Sequence, residues 1–123
     1  MSPHVLSPAA NLLSVPAAAI DSETTGLDPR KARIIELAAV RIDHGRIAES
    51  ETFSCLINPG ITVPEESRRI HGITTEDLAD APDFGEAGQS FSDFVGQRLI
   101  IGYAVGFDLA MLEHEHRRAG LPW

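Results

Sequence analysis

The sequence holds a single cysteine, Cys55, so no internal disulfide can form, which fits a reducing cytoplasm as the place of work. It has no run near the roughly 20 apolar residues of a helical membrane span, so no membrane partner is expected. Met1 to Ala19 carry no Lys or Arg, and Pro3, Pro8 and Pro16 interrupt the segment, which argues against a secretory signal. Positive charge is scarce as well: 10 Lys and Arg stand against 18 Asp and Glu, a net charge of −8. That balance excludes a sequence-tolerant coat for nucleic acid, which would use Lys and Arg to displace condensed counterions. It leaves metal-dependent chemistry open, because carboxylates that hold divalent cations regain positive charge locally. Half of the basic residues, Arg30, Lys31, Arg33, Arg41 and Arg46, also fall within one short stretch.

At 123 residues the chain is one domain at most. Residues 1–13 read as a flexible leader rich in Ser, Pro and Ala, and residues 14–123 as the domain. A short apolar strand over Val15–Ile20 ends on Asp21, with Pro16 at a tolerated first position. Thr24 to Pro29 read as a turn. Arg33–Ile42 is β-branched and strand-like, Asp43-His44-Gly45-Arg46 a hairpin turn, and Ile47–Ile57 the returning strand. Short helices are expected over Glu65–Ile70, ended by His71-Gly72, and over Thr74–Ala79. Asp83 and Glu86 form a capping box before Phe84, Ala87, Phe91, Phe94 and Val95, which share one helix face. Leu99–Gly102 has the wholly apolar character of a buried parallel strand. A last helix is expected from near Asp108 to Gly120, with Glu113 and Arg117 as an i,i+4 pair and His114 and His116 on a solvated face. There is no internal repeat. The order implies an α/β fold whose mixed sheet joins a three-strand antiparallel meander to one parallel strand, with flanking helices.

Asp21 and Glu23 flank Ser22 at the end of the first strand, and i,i+2 residues of a strand share a face. Ligands of α/β sheets bind outside the carboxyl ends of the strands. Asp108 follows the strand at 99–102 and reaches the same edge if that strand lies parallel beside the first. Read alone, Asp108 is an N-cap for its helix and the Asp-x-Glu pair a surface feature. Read together, three oxygen donors suit Mg²⁺ or Mn²⁺, and two such ions about 4 Å apart support in-line displacement at phosphorus.

The string Asp21-Ser-Glu-Thr-Thr-Gly-Leu27 resembles the first motif of the DEDDh-type 3′→5′ exonucleases, the DnaQ-like and RNase T family. Phe107-Asp108-Leu109-x-x-Leu112 is similar to the second motif, and Ile57-Asn-Pro-Gly60, Ile61-x-Val-Pro64 and His71-Gly-Ile-Thr74 follow the linking segment in order. The resemblance covers residues 15–121 and implies an RNase H-like fold with two-metal cleavage at nucleic-acid 3′ ends. It implies that Asp21 bridges both ions while Glu23 and Asp108 hold one each. Thr24, Thr25, Gly26 and Leu27 would meet the 3′-terminal nucleotide, with Leu27 wedged against the base. Glu66, His71, Tyr103 and Phe107 would stand on the substrate side; His71 also reads simply as the residue that ends its helix. The implied partners are single-stranded DNA or RNA 3′ ends, or a nucleoside monophosphate.

The chain departs from that pattern twice. Tyr103 and Ala104 occupy the positions where the family usually carries His-Asn. The third motif, a His followed five residues later by Asp, is absent: after Asp108 come only His114 and His116, and no further Asp. The resemblance implies another strand and helices after Trp123, so the sequence is expected to be the front two-thirds of a domain, fused or bound to further parts. A catalytic fragment, a non-catalytic nucleotide- or partner-binding module, and a purely structural domain with Asp21 and Glu23 as surface acids are the readings this leaves.

Overall fold

The structure, a computed structural model, describes residues 14–123; the expected leader lies outside them. Four strands, β1 (Ala17–Thr24), β2 (Ile34–Asp43), β3 (Arg46–Leu56) and β4 (Leu99–Ile101), form one sheet in the order β3-β2-β1-β4. β1–β2 and β2–β3 are antiparallel and β1–β4 is parallel, so the expected meander plus one parallel strand is what the chain builds. The β2–β3 hairpin turns on His44 and Gly45, at φ 53° and 72°. Two consecutive left-handed residues twist a tight hairpin the same way as its strands.

Three helices complete the domain: α1 (Glu65–His71), α2 (Phe84–Val95) and α3 (Val105–Ala119). Asp83 caps α2, its carboxylate accepting from the Glu86 N–H at 3.0 Å. The apolar faces of α2 and α3 (Phe84, Phe91, Val95, Met111, Leu112) bury one face of the sheet at Ala18, Ile20, Ile34, Leu37 and Ala39. Ile35, Val63 and Leu78 form a smaller core under the connection from β3 to α2.

Several expectations shift. β1 begins at Ala17, past Pro16, and runs on through Thr24, because β2 still pairs with it as far as Ile34. The expected helix over Thr74–Ala79 is a single 3-10 turn, Glu76–Leu78. β4 is not buried: Leu99 and Ile101 are 43% and 40% exposed, because β4 is the sheet's outer strand. α3 starts at Val105, behind Ala104 and with no side-chain cap, so Asp108 lies inside its first turn. His116 is buried rather than solvated, its Nδ1 2.6 Å from the Leu112 carbonyl and its ring edge-on to Phe84 and Trp123. Glu113 and Arg117 pair at 2.9 Å as expected.

Two helical glycines give opposite expectations. A Cβ on Gly88 would lie 2.6 Å from the buried Phe84 ring, whereas on Gly106 it would meet nothing within 4 Å. Ala improves on Gly by up to about 1 kcal/mol in a helix, and overpacking a core costs about 1–3 kcal/mol. Gly88→Ala is therefore expected to lower the urea midpoint and Gly106→Ala to raise it; the same sign in both would overturn the packing argument.

Candidate active site

β4 pairs with β1 only from Ala17 to Ala19, so the far half of β1 has no neighbour on that side. The chain turns there at Gly102, where a Cβ would stand 3.0 Å from the Ile20 carbonyl and 3.8 Å from Asp108 Oδ2. Only a residue without a side chain allows this approach, which brings the start of α3 to the open edge of β1. Asp108, 4% exposed, accepts a 2.5 Å hydrogen bond from Ser22 Oγ. Its side chain reaches across to β1, so the N-cap reading fails.

Strand alternation sets the other two carboxylates. Ile20 and Ser22 pair with Ala39 and Leu37 on the helix-covered face, so Asp21 and Glu23, opposite Ala38 and Glu36, point to the other face. Asp108 meets the strand edge at Ser22, the residue between them in sequence. No Lys or Arg forms an ion pair with any of the three among the described residues. Glu23 feels the charges of Asp21 and Asp108, and Asp108 feels that of Asp21. Burial raises the Glu23 carboxyl above its ordinary value, with Asp21, Glu36 and Asp108 adding and His71 opposing. Burial likewise raises Asp108, with Asp21 adding and the Ser22 hydrogen bond opposing.

Beside them opens a cavity of about 440 Å³, a size common for small-ligand sites. One wall is the Ser22–Leu27 segment and the other is α1, with Pro64, Glu66, Ser67, Ile70 and His71; Phe107 also lines it. Thr24 Oγ1 donates to the Gly26 carbonyl at 2.7 Å, and Leu27 is left 84% exposed at the rim. His71 Nδ1 accepts from the Ile73 N–H at 3.0 Å, which leaves the proton of the neutral ring on Nε2. That Nε2 is buried and has no protein partner. Gly72, at φ 75°, closes α1 behind it.

Of the residues expected around a substrate, Thr24, Thr25, Gly26, Leu27, Glu66, His71 and Phe107 line this one cavity. Tyr103 stands outside it, fully exposed. Ile70, 78% exposed on the α1 wall, was not anticipated, since a lone Ile on a short helix reads as core. The clustered basic residues are also less available than their positions suggested. Arg33 is paired with Glu115, Arg41 with Glu51 and the Phe94 carbonyl, and Arg30 with Asp28.

An ion must suit these side chains as they stand. The donor set, three uncompensated carboxylates, is that of a hard divalent cation. Among the described residues no three His, Cys, Asp or Glu side chains stand close enough together to hold a metal ion as they are. Asp108 is engaged with Ser22, so a bound ion would have to draw the carboxylates together against that hydrogen bond.

The mixed four-stranded sheet and its flanking helices match the exonuclease RNase H-like fold. The family model RNase_T, Exonuclease, matches residues 18–122, and the chain belongs to that family. It is 38% identical over 111 residues to a DNA polymerase III subunit epsilon of Aquifex aeolicus, covering 90% of this chain and 54% of that protein. It is 39% identical over 101 residues to a DNA polymerase III subunit epsilon-like protein of Rhodobacter capsulatus, covering 81% of this chain and 14% of that one. E. coli exonuclease I in complex with a dT13 oligonucleotide superposes with a TM-score of 0.78 at 21% identity, covering 88% of this chain and 25% of the other. The chain thus spans about half the length of the Aquifex relative. No helix among the described residues is long and apolar enough to cross a membrane.

The raised carboxyls give a test in the absence of metal. An acid whose folded value is raised is harder to ionise in the folded chain, so its destabilising effect is full above that value and fades as pH falls through it. Asp108→Asn keeps an acceptor for Ser22 and removes the charge. It is expected to raise the urea midpoint at neutral pH, with the gain shrinking on acidification into the ordinary carboxylate range. A gain independent of pH would refute the charge account.

Proposed function

We propose that this chain supplies the substrate-binding and metal-holding front of a DEDDh-type 3′→5′ exonuclease, acting on phosphodiesters at nucleic-acid 3′ ends. The observation that carries this is the uncompensated carboxylate trio, Asp21, Glu23 and Asp108, at the tip of β1 beside a cavity lined by the Thr24–Leu27 segment. Such a trio costs stability unless a cation completes it. When bound, Mg²⁺ or Mn²⁺ ions supply activation of water and stabilisation of the leaving oxygen. Asp21, Glu23 and Asp108 would hold them.

The rest of the site grips and orients. The exposed Leu27 side chain, with Ile70 and Phe107, offers apolar surface to a terminal base, while Thr24, Thr25 and Gly26 line the side that sugar and phosphate would meet. The buried His71 Nε2–H needs an acceptor, since an unmade buried hydrogen bond costs about 1–3 kcal/mol. Substrate oxygens beside Glu23 meet that need. The oligonucleotide in the E. coli exonuclease I structure supports a single strand as the ligand. Tyr103 and Ala104 remove the usual His-Asn contacts, so the grip rests on the cavity lining.

The residues after Asp108 include no His followed five residues later by Asp, so no side chain here acts as base in the manner of the third motif. A positioned base contributes roughly 10²–10⁴-fold. The 123 residues alone are therefore expected to cleave at least about a hundredfold more slowly than a chain that also carries the motif. In that longer chain, Asp21→Ala and Glu23→Ala should each abolish release of nucleotides from a single-stranded 3′ end. Unchanged rates in both variants would remove the metal assignment. A binding module without catalysis is the second reading, favoured by Tyr103 and Ala104. It is distinguished by nucleotide binding without cleavage in the longer chain.

A further inference from the structure

Glu115 lies two helical turns beyond Asp108, and the stripe Asp108, Met111, Leu112 and Glu115 is the buried face of α3. Glu115 is 1% exposed. Its Oε1 accepts from Arg33 Nε at 2.7 Å and Arg118 Nη1 at 2.5 Å, and Oε2 from the Ile34 N–H at 3.4 Å. Arg33 Nη1 also reaches the Pro59 carbonyl at 3.1 Å. Arg118 extends the attachment to the carbonyls of Ala32 and Arg30. The Arg33 backbone is bonded twice to Thr25: Thr25 N–H donates to the Arg33 carbonyl and Arg33 N–H to Thr25 Oγ1, both at 2.9 Å.

We infer that Glu115 is a positioning residue for the exonuclease site: through Arg33 it sets the Thr24–Leu27 segment that receives the terminal nucleotide. The inference rests on the function proposed above. A buried ion pair adds little net stability over a well-packed apolar substitute, so its value lies in direction. An apolar contact would hold α3 to the sheet but would not decide where the loop after β1 stands. The carboxylate does, because its Oε1 takes one hydrogen bond from each guanidinium while the Arg33 fork also reaches the Pro59 carbonyl, a set of directions that fixes the register. Since Asp108 leaves the same stripe, one helix placement sets both the third carboxylate and the nucleotide-facing segment.

The experiment uses the 123-residue chain, with amide hydrogen exchange by NMR and titration of thymidine 5′-monophosphate in the presence of Mn²⁺. In Glu115→Gln, exchange at the Thr25 and Arg33 amides should accelerate about tenfold, the effect of losing one charged hydrogen bond. Amides of Ala39 and Phe53 in the β2–β3 ladder should keep their protection. The nucleotide Kd should rise by about tenfold, with Mn²⁺ affinity measured alone unchanged. Should Glu115→Gln fail to fold, Arg33→Lys, which keeps a cation but loses the fork, must loosen the same two amides. Selective loosening without loss of nucleotide affinity, or affinity loss without selective loosening, overturns the inference. Failure of the wild-type chain to bind the nucleotide overturns the exonuclease reading itself, and the positioning role with it. A normal wild type beside an unaffected Glu115→Gln overturns the positioning role alone.

Discussion

Because β4 stays beside β1 for only three residues before the chain turns at Gly102, the tip of β1 is left without a neighbour on one edge. The site depends on that short pairing. A longer β4 would close the edge and hold the start of α3 away from Ser22. A side chain at Gly102 would press on the Ile20 carbonyl and displace the turn. As it stands, the pairing aims β4 along β1, and the turn delivers Asp108 to the strand end where Asp21 and Glu23 emerge. The general preference of α/β sheets for ligands beyond the carboxyl ends of their strands has here a local steric cause.

The charge balance is explained by the same arrangement. Four of the eight arginines with ion-pair partners, Arg33, Arg41, Arg98 and Arg118, are committed to Glu115, Glu51, Asp43 and main-chain carbonyls. The acids at the strand tip have no such partner. On the proposed reading, a chain of net charge −8 that meets a polyanion would bring positive charge from outside, and the uncompensated carboxylate set is where a divalent cation would enter. Attraction for the substrate and chemistry on it would then come from the same ions.

What was legible in the sequence were residue types at fixed spacing. Asp21 to Leu27 and Phe107 to Leu112 carry their meaning in order and identity, and the structure sets seven of the eight expected substrate-side residues around one cavity. The meander was legible through β-branched content and the His44-Gly45 turn. What was not legible depends on long-range partners. Glu115 looks like any exposed acid in an Arg-rich helix, because Arg33 lies 82 positions away. His116 looks solvated until Phe84 and Trp123 close over it. Asp108 resembles an N-cap because a cap and a buried first-turn acid have the same local sequence; only the Ser22 bond separates them. Leu99–Ile101 were expected to be buried because apolar content marks a strand without saying that it is the outermost one.

Glu115 and Asp108 together show how function can be separated from structure on one helix face. Both are carboxylates, both are almost wholly buried, and they share a stripe of α3. Ordinary folding physics accounts for Glu115, since two guanidiniums balance its charge and, with a main-chain N–H, donate hydrogen bonds to it. It does not account for Asp108, which has a neutral hydroxyl for company and the Asp21 charge nearby, and which burial alone pushes toward the protonated form. An apolar residue at that position would fold at least as well. Local rules in a stable domain tend to be broken where function requires it. The contrast between two buried acids seven residues apart therefore supports the proposed site without reference to any relative.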